Sequence, residues 1–285
     1  MEGRVARLGL TPLKGAAHVR PARVDVAAHG AVGDRGWCCV ERDPSDRGGA
    51  DSGGAGRGAG EGGAERWLVA RTVRTPALLR VRAAPLPGAG LRLRLPDGAW
   101  DVPAPRATAD GGTTLVADYW GRPAPVALAP GPWDAALSDL VGRPVALAQV
   151  LRPGAVVYAD PVVLLTTSTL RELARRTGAA VDDERFRSLV LVDTRGAEPF
   201  VEDAWHGRAL DLGGARLEVT GGVARCAVVQ RTPGTGERAA DDLLGALALD
   251  RVVEGPAGRE VVLGVGARVL RPGPVAVGDP VVLRT

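Results

Sequence analysis

Apolar stretches in this chain are short, and glycine or proline closes most of them off before a long helix could form. WCCVE at 37–41, VVLLT at 162–166 and LVLVD at 189–193 have the length of strands, and LRLRL at 91–95 alternates cleanly between apolar and charged positions. Forty glycines and 22 prolines supply turns throughout the 285 residues, a punctuation that suits barrel-like β architecture. Aromatic residues make up only 4%, so the core must be built from Val, Leu and Ala, and the abundance of Val favours strands. The expected fold is mainly β, with two β-barrel-like domains and a few short helices.

The first half reads as strands at 4–10, 19–26, 37–41 and 67–73, with a hairpin after 91–95 at the PDG turn. A helix is expected over 132–142, where Trp133, Leu137 and Leu140 form a stripe and Gly142 provides a stop. A division near 150–155 separates a domain at 1–150 from one at 151–285. In the second half, 168–178 reads as a helix with Ser168 as N-cap, Glu172 near capping-box spacing and Gly178 as its end. A short helix is expected at 237–248. The Gly/Ala/Ser/Asp/Arg tract at 43–65 has no periodicity and is expected to be a flexible insertion.

Charge excludes more than it suggests. Basic residues number 36 and acidic residues 33, a net charge of +3. No basic stripe interleaved with aromatics is visible, which argues against nucleic acid as a partner. Positive charge is almost all arginine, and the single lysine, Lys14, sits in a Pro-Leu-Lys-Gly turn. The three cysteines, Cys38, Cys39 and Cys226, make no disulfide framework, so a reducing cytoplasm is the expected setting. No run approaches the roughly 18 apolar residues of a membrane span, and the N-terminal segment lacks the apolar core of a signal peptide.

Several blocks in the second half stand in a specific order: ADPVVLLTTSTLREL, ERFRSLVLVD, EPFVEDAWHGRALDL, then the RC pair at 225–226, a TG pair, and GPVAVGDPVVL. In this order and spacing the half resembles the MOSC domain. LTPLKG (10–15), GDRGW (33–37) and LSDLVGRPV (137–145) resemble the β-barrel domain that precedes MOSC in the amidoxime-reducing component and its bacterial relatives. The resemblance implies binding of the molybdenum cofactor, a pterin dithiolene carrying a phosphate (molybdopterin). It also brings an association with pyridoxal phosphate. Cys226 stands at the family's cysteine position and would be both metal ligand and catalytic residue, since a soft thiolate suits a metal already held by sulfur. Arg225 beside it favours the thiolate. Lys14, Arg35 and Arg187 would hold the phosphate, with Arg225 completing the cofactor-binding set.

The expected activity is then reduction of an N-oxygenated small molecule, with electrons from a separate electron-transfer protein. The sequence also departs from the family pattern. Leu189 stands where cofactor binders commonly have Asn, LGVG at 263–266 replaces a block that often carries Tyr, and LKGAA lacks the usual serine and cysteine. Each change removes a polar contact and leaves a rival open: a sulfur-carrier or divergent biosynthetic enzyme that uses Cys226 as persulfide carrier or nucleophile without molybdenum. A binding-only scaffold is a third reading.

Other candidates are read as structural. Cys38 and Cys39 are expected in the core, on opposite faces of one strand. Glu202 and Asp203 suggest a carboxylate pair, but adjacent residues rarely share a face, and a role at a strand end is favoured. His206 reads as a surface residue, and His18 and His29 lack metal-ligand spacing.

Overall fold

The computed structural model describes residues 2–47, 65–105, 113–255 and 258–284. Most of the 43–65 tract lies outside the described residues. Two closed barrels dominate, in line with the mainly β expectation.

The first barrel has five strands: Trp37–Arg42, Trp67–Val69, Thr114–Tyr119, Arg122–Leu128 and Ala146–Val150. All neighbours are antiparallel except Trp67–Val69 against Thr114–Tyr119, which run parallel. Five strands leave a narrow interior, and small side chains fill it: Cys38, Ala117, Ala124 and Ala148 are buried there with Val40 and Val126. Cys39 points to the other face, into a separate core beneath helix Pro132–Val141 and the three-stranded sheet Arg82–Pro85, Leu91–Leu95 and Gly98–Val102. The two adjacent thiols thus occupy two different cores, as strand alternation requires. Strand Leu91–Leu95 alternates buried and exposed along its length, as its sequence does.

The second barrel is a ring of seven strands with an eighth attached. Val162–Thr166 pairs with Val190–Asp193 on one side and with Gly258–Arg271 on the other, which closes the ring. Its interior is Val and Leu around Trp205, and fully burying one such side chain contributes roughly 1.5–3 kcal/mol. Strand Glu2–Leu8 belongs to this ring, between Val190–Asp193 and Pro280–Leu283. The expected division near 150–155 falls in the connection between the barrels, and the segments Glu2–Leu8 and Arg23–Ala27 lie on the far side of it, packed in the second core.

Several local expectations need correction. Helix Thr167–Thr177 is capped by Thr166, whose hydroxyl accepts from the Thr169 amide, and not by Ser168, which is buried within the first turn. Glu172 pairs with Arg175 and Arg176 at i+3 and i+4 instead of closing a capping box. The helix expected at 237–248 is only Leu243–Ala248, because the Asp242 carboxylate caps the Gly245 amide and starts it late. Glu202 and Asp203 lie in the helical turn Val201–Trp205, not at a strand end. There Glu202 is fully buried, accepting from the Thr166 and Thr169 hydroxyls at 2.7 and 2.9 Å, while Asp203 faces outward to Arg251. No helix among the described residues is long and apolar enough to cross a membrane.

Candidate functional site

A cavity of about 430 Å³ opens where the two barrels meet. That is within the size range of small-molecule and cofactor sites. Lys14, Arg35, Arg187, Arg225 and Cys226 all line it. The residues come from both halves of the sequence, so only the fold brings them together.

Lys14 and Arg35 are placed by two segments zipped side by side. The Arg35 amide donates to the Thr11 carbonyl (2.8 Å), Trp37 to Pro12 (3.0 Å) and Lys14 to Trp37 (2.7 Å). The Asp34 carboxylate accepts from the Thr11 amide at 2.8 Å and pairs with Arg35, so the Arg35 charge is partly spoken for. Gly15 follows at φ +92, and a Cβ there would sit 3.0 Å from Leu78, so the turn that presents Lys14 needs glycine. Lys14 itself is half-buried, and its ammonium lies over the Tyr119 ring at 5.1 Å. Burial, followed by the charges of Arg35 and Arg187, pulls its pKa down to about 7.

Arg187 ends the helical turn Asp183–Phe186 in the left-handed conformation, φ +54. One terminal nitrogen donates to the Ala16 carbonyl at 2.9 Å, tying the second barrel to the Lys14 turn of the first. The other, Nη1, is buried with no partner. A buried cationic donor without an acceptor is costly unless something anionic meets it. Burial and the nearby Arg35 lower the Arg187 pKa to about 10, the direction that a cationic pocket imposes.

Cys226 follows strand Ala215–Ala224 and opens the helical turn Ala227–Gln230. Its thiol is exposed, unlike those of Cys38 and Cys39. Arg225 is oriented otherwise than its cofactor-binding assignment implies. Its Nε and Nη2 donate to the Leu263 carbonyl at 2.9 and 2.6 Å, and Nη1 donates to the Phe186 carbonyl at 2.8 Å. It fixes the loop carrying Cys226, with its guanidinium 5.7 Å from the Phe186 ring centre. Leu189 is buried in the cavity wall and offers nothing polar.

Sequence reasoning missed several cavity residues. His18, set aside for lack of metal-ligand spacing, lies in the wall pressed against Gly9, where a Cβ would come 2.5 Å from its Nδ1. Burial, then Arg187 and Arg35, holds His18 well below its ordinary value, so its imidazole is neutral. Trp120 and Tyr158 add an aromatic rim, and the buried Tyr119 lines the wall beside Lys14. The one signal for them was a Trp placed directly before Gly121 in a hairpin turn, where Asn or Gly is usual. His206 is exposed and lies outside this cavity. Among the described residues no group of three or more His, Cys, Asp or Glu side chains could hold a metal.

The two barrels thus meet at a cavity that brings Lys14, Arg35 and Arg187 together with the exposed Cys226 thiol. Residues 142–282 match the MOSC domain model, and the chain carries a MOSC domain over that stretch, a family associated with molybdenum cofactor binding. Among solved structures, the YuaD protein of Bacillus subtilis is similar at 12% identity, covering 99% of this chain and 94% of that one, with a TM-score of 0.43. YiiM of Geobacillus stearothermophilus is similar at 16% identity over 44% of this chain and 55% of that one, TM-score 0.29. A Bordetella bronchiseptica protein solved in solution shows 18% identity over 48% and 92%, TM-score 0.29. No curated protein matches the chain.

The donors present fit one part of a phosphorylated dithiolene pterin better than another. The unpaired Arg187 Nη1 and the Lys14 ammonium suit its phosphate, and the Cys226 thiol suits its metal. The Leu189 side of the wall gives the pterin's polar edge no side-chain partner.

Proposed function

We propose that this protein binds the molybdenum cofactor in the inter-barrel cavity and reduces an N-oxygenated small molecule. The observation that carries the reading is the exposed Cys226 thiol, opening on the same cavity as Lys14 and the partnerless Nη1 of Arg187. The cofactor, when bound, supplies a metal able to change oxidation state by two electrons and to accept an oxygen atom. The chain's residues do the rest. Cys226 provides the protein sulfur ligand. Lys14 and Arg187 hold the phosphate, Lys14 as a compact charge and Arg187 as a directed donor. Asp34 restrains Arg35 at the edge of that group, and Arg225 holds the Cys226 loop in place. Electrons come from a separate electron-transfer protein in a reducing, cytoplasmic setting.

Metal analysis of protein made in a cofactor-producing host tests the reading. Stoichiometric molybdenum that disappears in Cys226→Ala supports it. Leu189 favours a second reading, since an apolar wall suits a pocket that never holds a pterin. On that reading Cys226 carries a persulfide or acts as a nucleophile in a molybdenum-independent enzyme. Absence of molybdenum, with persulfide mass found on Cys226, supports the second reading and overturns the first.

A further inference from the structure

Trp120 occupies the first position of the two-residue turn joining Thr114–Tyr119 to Arg122–Leu128. Its φ is +59, and Gly121 follows at +75. A bulky side chain in this left-handed region is strained, and Gly, Asn or Asp would adopt the turn with less cost. Burial does not explain the choice, because Trp120 is 52% exposed. Retained strain of this kind marks positions where the side chain itself is used.

The neighbouring groups fix what Trp120 presents. The Asp118 carboxylate accepts from the Gly121 amide at 3.0 Å and pins the turn. Arg71 lies over the indole at 4.3 Å and covers one face. Tyr158, also 52% exposed, stands edge-on with ring centres 5.5 Å apart and planes at 61°. Arg122 donates to the Val157 carbonyl at 2.7 Å, fixing the backbone beside Tyr158 to the same hairpin. Trp120, Tyr158 and Arg71 all line the cavity that Cys226 opens on. Two half-exposed rings held at an angle form a rigid π corner at its rim, and such a corner favours a flat conjugated ring over an aliphatic group of equal size.

The geometry points to Trp120 and Tyr158 as the specificity subsite of the cavity, selecting a planar heteroaromatic ring that carries the N–O group. This rests on the function proposed above and names its substrate class. The ring stacks on the corner while the N–O end faces inward, and Arg71 holds the indole in place.

Calorimetry on the full chain as purified, with quinoline N-oxide and the saturated N-methyldecahydroquinoline N-oxide of similar size as probes, tests the subsite. Quinoline N-oxide is expected to bind at least about tenfold more tightly than the aliphatic N-oxide. Trp120→Gly removes the ring and also relieves the positive φ, so it is expected to melt at or above the wild type while binding quinoline N-oxide about tenfold more weakly. Trp120→Phe keeps most of the affinity. Tyr158→Ala, outside the turn, weakens binding about threefold. Equal affinity for the two N-oxides, or quinoline N-oxide affinity unchanged in both Trp120→Gly and Tyr158→Ala, overturns the inference. The two proposals fail separately: Trp120-dependent binding in a protein that never holds molybdenum keeps the subsite and removes the reductase, and stoichiometric molybdenum with Trp120-independent binding does the reverse.

Discussion

Arg225 gives two hydrogen bonds to one backbone carbonyl, that of Leu263, at 2.9 and 2.6 Å. The residue next to the candidate metal ligand therefore braces the protein from within. Lysine cannot span the Leu263 and Phe186 carbonyls as the planar guanidinium does. Arg225→Lys is expected to cost about 2 kcal/mol, through buried acceptors left short of donors. Urea unfolding reads this directly, and an unchanged midpoint would remove the bracing role.

The three thiols should differ sharply in reactivity. Burial pushes Cys38 up to about 12 and raises Cys39 as well, so neither offers thiolate near neutrality. Cys226 is exposed. Iodoacetamide on the native protein is expected to label Cys226 alone, by peptide mass spectrometry, and all three after denaturation. Cys226→Ala should leave stability within about 0.5 kcal/mol of wild type, as for other exposed substitutions.

Lys14 makes anion binding depend on pH. Its pKa is about 7 because burial and two arginines disfavour its charge. Sulfate, whose own charge is constant, should bind more weakly as pH rises from about 6 to about 8, and Lys14→Gln should flatten that dependence in a titration. The stability sign is opposite to that of a paired lysine. The full cost of burying the ammonium applies below about 7 and fades as pH rises towards the ordinary 10.5. Lys14→Met is thus expected to be more stable than wild type near pH 6 by thermal melting, with the gap closing in alkali. A gap that stays constant with pH would contradict the assignment.

Glu202 carries the reverse linkage for an acid. Burial raises its carboxyl above the ordinary value, against the Thr166 and Thr169 hydroxyls, which lower it. Its contribution to stability is fully present below the unfolded carboxyl's range and is lost as pH rises through the folded value. Glu202→Gln should therefore gain on wild type as pH goes from about 4 to about 7, measured by melting across that range.

Strand runs were readable where burial and periodicity agree. LRLRL alternates in the sequence and in its exposure, and VVLLT at 162–166 is the strand Val162–Thr166. Helix ends were less legible because short hydroxyl and carboxylate side chains compete for the same amides, as Thr166 and Ser168 do at one helix start. For the site, the blocks that resemble the MOSC family pointed to Lys14, Arg35, Arg187, Arg225 and Cys226, and the fold gathers all five in one cavity. They could not indicate where a guanidinium points, and Arg225 turns to backbone while Arg187 keeps a free buried nitrogen. His18, Trp120 and Tyr158 join the site only because two barrels close against each other, a long-range event that spacing along the chain does not encode.

Strand Glu2–Leu8 sits between Val190–Asp193 and Pro280–Leu283. During synthesis this early segment must wait for partners that leave the ribosome far later, while the five-stranded barrel between them is already complete and able to fold. The pocket is complete only when the late strands pair with the early one, because Arg187 and Cys226 lie beyond the first barrel in the sequence. A fragment cut at the inter-barrel connection would leave two ladder edges open, a state prone to pairing with other chains.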